Sequence, residues 1–164
     1  MKWLKLALSA GIAAAAFVAI RDISYTPVHC NDVAMNVGGE MTSMLSSTDQ
    51  VRVTVETREN LARLEPCRRK LPWNVNLHML AAANYAARDM HENAVSEYRE
   101  ALRYDRRPEI YLNLGTELIK TGRVDEAIEP LTIAYSINKD SIYEITNSAI
   151  QERVMAAAEQ HESH

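Results

Sequence analysis

The residues of this chain that could do chemistry are few and scattered. No nucleophile elbow, zinc-protease helix, phosphate-cradling glycine loop or Cys-x-x-Cys motif occurs in the sequence. His78 and His91 fall within segments with helical periodicity, and we expect His78 to be a packed structural histidine and not a catalytic base. His161 and His164 lie in a polar C-terminal tail, residues 161–164, where a metal role has little support. We therefore predict a protein that is not an enzyme and that needs no cofactor or metal.

Cys30 and Cys67 are the only cysteines. No His, Cys or acidic residue stands at metal-ligand spacing around either one. In an oxidising compartment a pair of cysteines favours a disulfide. Two buried thiols, or a redox or ligand role, are the alternatives.

The N-terminus indicates export. Lys2 and Lys5 precede an apolar run over residues 6–20, and Arg21 follows it. This pattern describes a secretory signal, or an N-terminal membrane anchor if it is retained, within residues 1–23. Ala14 and Ala16 offer a small-x-small cleavage site, although cleavage there would leave Phe17 and its apolar neighbours in water. A buried core helix is the third alternative. With Lys2 and Lys5 on the cytoplasmic side, the rest of the chain is expected to be exported, either soluble in the periplasm or anchored to the inner membrane.

Length and composition predict one ordinary globular domain. The chain has 164 residues, is 47% hydrophobic and 24% charged, and carries a net charge of −4. A negative net charge gives no overall attraction to nucleic acid, so we predict no nucleic-acid partner.

The stretch from residue 74 to residue 140 matches itself at an offset of 33. Ala94 corresponds to Ala127, Ala101 to Ala134, and Ala82 to Gly115. Small residues at these positions allow two helices of a hairpin to approach closely. Periods of about 20–50 residues are typical of stacked helical hairpins and other repeat architectures. We predict helices from about Val75 to Arg88, His91 to Tyr104, Pro108 to Lys120 and Val124 to Ile137, with a kink at Pro130.

This pattern resembles the tetratricopeptide repeat family, which has two helices in each unit of about 34 residues. The second copy is the closer match, with Leu114-Gly115, Leu118, Gly122, the segment 125–128 and Ala134. The first copy has Ala82 where the family favours Gly and Asp89 where the turn Gly is usual. The family's closing Pro is replaced by Arg106 and Lys139. The resemblance covers less than half of the chain and implies an all-α fold, a short superhelix of αα-hairpins.

The flanking segments complete this prediction. Residues 24–48 are expected to form an irregular strap or linker, because Gly38-Gly39 and Ser46-Ser47-Thr48 are typical of turns and linkers. Met35, Met41 and Met44 could form one face of a short helix within it. Residues 49–160 form the helical domain, with repeats at about 75–107 and 108–140 and a capping helix at 141–160. We expect a degenerate helix that begins at an Asp49 cap and ends at Pro66, with a strand as the alternative because residues 51–55 also alternate in polarity. Trp73 is expected to fill the joint before the first repeat.

The resemblance also implies a groove lined by the first helix of each hairpin. The residues at these positions are Asn76, Met79, Ala83, Ala86, Glu109, Leu112, Thr116, Ile119 and Lys120. Family members that grip a free carboxylate carry Lys and Asn where this chain has Met79 and Ala83, so that clamp is absent. We expect a mostly apolar groove covered by a partner's amphipathic helix, by the strap, or by a second copy in a homo-oligomer.

Two function classes follow from this groove. One is an exported adaptor that binds a protein partner during envelope assembly. The other is an accessory subunit of a membrane complex, associated with the membrane through residues 1–20, whose groove is filled by its own N-terminal segment.

Overall fold

The structure is a computed structural model that describes residues 26–44 and 47–162, with side chains as far as residue 160. The predicted signal or anchor and the last two residues lie outside this part of the chain. The described residues form helices joined by short connections, with no strand among them. The prediction of an all-α fold is confirmed.

Seven α-helices and one 3-10 helix follow one another along the described chain. They are α1 (26–44), α2 (Gln50–Lys70), α3 (Val75–Ala86), α4 (His91–Leu102), α5 (Pro108–Lys120), α6 (Val124–Ile137), a 3-10 helix (Lys139–Glu144) and α7 (Ser148–Glu162). The bounds predicted for α5 and α6 are reproduced, and α3 and α4 each end two residues earlier than predicted. Pro130 is buried inside α6, and the helix continues on both sides of it.

Small residues allow the paired helices to pack closely, as predicted. Ala82 of α3 is fully buried, as are Ala94 and Ala101 of α4 and Ala127 and Ala134 of α6. A Cβ atom built on Gly115 would overlap the side chain of Leu131. The backbone of α5 therefore lies directly against α6 at this point.

The two hairpin turns share an unusual backbone conformation. Asp89 has φ 56° and Gly122 has φ 80°, and the two residues are 33 positions apart. Left-handed φ is costly for most side chains but is tolerated by Gly and, less readily, by Asp. Asp89 thus adopts in the first hairpin turn the left-handed conformation that Gly122 adopts in the second.

The prediction of an irregular strap at 24–48 is wrong for its described part, because residues 26–44 are helical. Thr26, Cys30, Val37, Met41 and Met44 are buried at spacings that place them on one face of α1. The glycines that suggested a linker lie inside this helix. A Cβ on Gly38 would come within 3.8 Å of Leu80 Cδ2, so the glycine sits where α1 lies against α3.

The predicted end of α2 at Pro66 is also wrong. The Asp49 side chain caps α2 as expected, accepting from the backbone N–H groups of Val51 and Arg52 at 3.1 Å. The helix then continues through Pro66 to Lys70. Pro66 removes one backbone hydrogen bond, and the burial of Leu64 and Cys67 on either side of it holds the helix together.

The predicted disulfide between Cys30 and Cys67 is present, and both residues are buried. It joins the beginning of α1 to the end of α2, and Arg63 of α2 pairs with Glu40 in the second half of α1. These two links make α1 and α2 antiparallel. A third helical hairpin therefore precedes the two that the repeat predicted.

The interior consists of two hydrophobic clusters. One joins α1, α2 and α3 through Cys30, Val37, Leu64, Leu77 and Ala81. The other fills α3 to α7 and includes Val95, Tyr98, Ile110, Leu118, Leu131 and Val154.

The joint between α2 and α3 is not filled by Trp73, which is 61% exposed, so that prediction is wrong. Leu71 and Leu77 are buried there instead.

Candidate partner-binding face

The predicted groove residues differ in their exposure. Asn76, Glu109 and Lys120 are exposed, whereas Met79, Ala83, Ala86, Thr116 and Ile119 are partly buried and Leu112 is buried. None of the large hydrophobic side chains that are exposed in the described part belongs to this set. The expected trough of exposed apolar side chains is therefore absent.

Packing between neighbouring helices accounts for this burial. Leu112 is a member of the cluster that fills α3 to α7, and Met79, Ala86 and Ile119 pack against it. Ala83 packs against the other cluster, which contains the buried face of α1. The sequence placed these residues on the correct helices but did not show how far adjacent helices cover one another.

Arg107 joins the beginnings of α3 and α5. Its Nη2 donates to Asn76 Oδ1 at 3.3 Å and lies 3.6 Å from Met79 Sδ. Its Nε lies 2.7 Å from Asp105 Oδ2, which orients the guanidinium. The predicted groove did not include Arg107, because this residue lies in the connection between α4 and α5 and not on the first helix of a hairpin. We define the α3–α5 face as Asn76, Arg107, Glu109, Thr116 and Lys120.

The buried carboxylate of Glu117 lies beneath the end of this face that carries Lys120. Glu117 is 5% exposed and accepts from Lys120 Nζ at 2.8 Å. His91 Nδ1, from the start of α4, lies 2.7 Å from its other oxygen. Burial, and then the charge of Glu117, raise the pKa of Tyr98 from 10.0 to about 12. Glu117 thus links α4 to α5 beneath the exposed Lys120.

A second cluster of polar side chains links α2, α3 and α4. His78 is buried, as predicted, with Nδ1 2.8 Å from Glu97 Oε2 and Nε2 2.9 Å from the Pro72 carbonyl oxygen. Arg68 of α2 pairs with the other oxygen of Glu97 and with Glu65. Each group is held by neighbours on another helix, which is the arrangement of a structural clamp.

No group of three His, Cys, Asp or Glu residues in the described part is placed to hold a metal ion. The side chains of His161 and His164 lie outside that part. Within the same limits, no helix has the length and apolar character needed to cross a bilayer.

Comparisons with known proteins add no identification. No protein-family model matches the chain, and a search of curated proteins finds no match.

Proposed function

We propose that this protein is a non-catalytic, exported scaffold similar to tetratricopeptide repeat proteins, which binds a segment of a partner protein on the α3–α5 face. The observation that carries the proposal is the hydrogen bond from Arg107 to Asn76. It connects the exposed edges of two successive hairpins into one surface of polar and charged side chains. Such a surface suits an extended or helical segment that offers hydrogen-bonding groups.

Export is part of the proposal and is supported by two features. Lys2, Lys5 and the apolar run at residues 6–20 have the pattern of a signal or anchor. The Cys30–Cys67 disulfide suits an oxidising compartment, where such bonds persist.

A second candidate is an anchored accessory subunit whose N-terminal segment fills part of its own groove. The close approach of α1 to α3 at Gly38 and Leu80 favours this candidate, as does the packing of Ala83 against the α1 cluster. The N-terminus of the mature protein separates the two. An intact Met1 supports the anchored subunit, and a mature chain that begins near Phe17 supports the free adaptor.

The binding proposal is tested by substitution of two face residues. In the double variant Asn76→Arg with Thr116→Arg, two long cations occupy the α3–α5 face. The matched control is Asn93→Arg with Ser136→Arg, which adds the same charge at exposed positions of α4 and α6. Each protein is used to capture partners from native membranes and from the periplasmic fraction, with identification by mass spectrometry.

We expect the face variant to lose a partner that the wild type and the control variant retain. The thermal melts of all three proteins should be similar, because the substituted side chains are not core residues. Retention of the same partners by the face variant at wild-type yield would refute the proposal.

A further inference from the structure

The exposed hydrophobic side chains of this protein are concentrated at one edge. Of the eight large ones that are exposed in the described part, five lie at the beginning of α1, at the last residue of α6, or in the segments that follow α2, α4 and α6. They are Val28, Trp73, Tyr104, Ile137 and Tyr143. Tyr104 and Ile137 are 33 residues apart, so they occupy the same position in successive hairpins.

Antiparallel packing places these segments together. The disulfide puts Cys30, near the start of α1, beside Cys67, near the end of α2. Each later helix is joined to its neighbour by a short connection, so the ends of α2, α4 and α6 point in the same direction. The hydrogen bond from Arg107 to Asn76 confirms that the α4–α5 connection lies beside the start of α3. We name residues 26–30, 68–75, 102–109 and 137–145 the connection edge.

The charge of the connection edge is opposite to that of the chain. Its segments contain seven Lys and Arg residues against four Asp and Glu residues, whereas the whole chain carries −4. Arg69, Lys70, Arg103 and Arg106 are exposed there. Tryptophan and tyrosine with interspersed cations form the combination that favours the headgroup region of an anionic bilayer.

The sequence that precedes α1 joins the described chain at this edge. Residue 26 begins the described helix α1, and the apolar run at residues 6–20 lies only a few residues before it in the sequence. Any membrane contact made by that run would hold the connection edge close to the lipid surface. The α3–α5 face meets the edge at Arg107 and extends away from it along the two helices.

We propose that the connection edge is a membrane-contact surface that rests on anionic lipid headgroups. Trp73 and Tyr104 enter the interface, and the basic residues between them contact the phosphates. The edge thereby orients the hairpin stack with the ends of α2, α4 and α6 toward the bilayer.

The test uses the full chain with Trp3→Phe, which leaves Trp73 as the only tryptophan. The protein is reconstituted into vesicles of phosphatidylcholine with phosphatidylglycerol, and into vesicles of phosphatidylcholine alone. Quenching of Trp73 fluorescence is measured with aqueous acrylamide and with lipids brominated near the headgroup. The control reporter carries Trp73→Phe and Val51→Trp in addition, because Val51 is 75% exposed at the opposite end of the α1–α2 hairpin.

We expect acrylamide quenching of Trp73 to be several-fold weaker in the anionic vesicles than in neutral ones, with quenching by brominated lipid instead. The control reporter should stay equally accessible in both. Lys70→Glu with Arg106→Glu should abolish the protection of Trp73. Arg52→Glu with Arg88→Glu, at the start of α2 and in the turn after α3 on the opposite edge, should preserve it.

Three results would overturn the proposal. Trp73 could remain as accessible as the control reporter in anionic vesicles. Protection could be equal in neutral vesicles and unaffected by Lys70→Glu with Arg106→Glu, which would leave the cations without a role. Finally, Trp73 could be protected from acrylamide in native membranes but in neither kind of vesicle, which would assign the edge to a protein partner.

Discussion

At the scale of single residues, Tyr98 makes stability depend on pH. Its pKa is raised from 10.0 to about 12, first by burial and then by the charge of Glu117. The folded state therefore keeps a proton that the unfolded state loses, so stability is complete below about pH 10 and falls as pH rises toward 12. We expect this residue to contribute a loss of about 2–3 kcal/mol across that range.

Denaturant unfolding of the wild type and of Tyr98→Phe, measured below pH 10 and near pH 12, checks this expectation. The variant should lose less stability than the wild type over the same interval. An equal loss in both proteins would show that Tyr98 does not titrate differently on folding.

Glu97 provides a second prediction at this scale. Its side chain is 15% exposed and pairs with His78 of α3 and Arg68 of α2. Glu97→Gln removes the less exposed of the two carboxylates that pair with Arg68 and takes away the charged partner of His78, so we expect the free energy of unfolding to fall by about 2–3 kcal/mol.

The control for Glu97 lies on the same helix. Glu92 is 65% exposed and pairs with Arg123, so Glu92→Gln should cost less than about 1 kcal/mol. The free energy of unfolding of both variants is measured by chemical denaturation. Equal losses of stability in the two variants would contradict a buried clamp at Glu97.

The sequence predicted that His78 is packed, and the structure confirms it. It did not predict that Glu97 would be its partner, because pairing across helices depends on how each helix is rotated about its axis. A signal for Glu117 was nevertheless present. Asn84 lies 33 residues before it, and both polar residues are buried at the same position of successive hairpins. A polar residue that recurs at a core position of a repeat marks a buried polar contact.

At the scale of helices, two glycines should respond in opposite ways to the same substitution. Gly115→Ala adds a methyl group where Leu131 already lies, and we expect a net destabilisation of about 1–2 kcal/mol. Gly39→Ala in α1 adds a methyl group with no atom within 4 Å. There the better helix propensity of alanine should stabilise the protein by about 0.5–1 kcal/mol.

Thermal unfolding of the two glycine variants checks this pair. A lower melting temperature for Gly115→Ala together with a higher one for Gly39→Ala is the expected result. If Gly115→Ala is neutral or stabilising, α5 and α6 do not approach as closely as described.

The helices that could be predicted are those that repeat. The bounds of α5 and α6 follow from two copies in register, since each copy supports the interpretation of the other. Helix α1 has no such copy, and Gly38, Gly39 and the following serines suggested a linker. Its stability comes from contact with α2 and α3 and from the disulfide, so local composition was misleading.

At the scale of the whole molecule, three antiparallel hairpins and α7 give the protein distinct surfaces. The α3–α5 face runs along two helices, and the connection edge crosses their ends. The helices that carry the face could be predicted from the sequence. The connection edge could be recognised only from the structure, because it depends on the direction of every helix. Residues 26–44 were expected to belong to an irregular strap, and instead they form one helix of an additional hairpin, α1–α2, that packs on the others.

The claim that the α3–α5 face binds a partner is tested most directly by site-specific photo-crosslinking in living cells. A photoreactive amino acid is placed at Asn76 or Thr116, and in control proteins at Asn93 or Ser136. We predict that Asn76 and Thr116 give cross-links to the same partner protein and that the control positions do not. Cross-links to a partner protein from Asn93 or Ser136, with none from Asn76 or Thr116, would contradict the account.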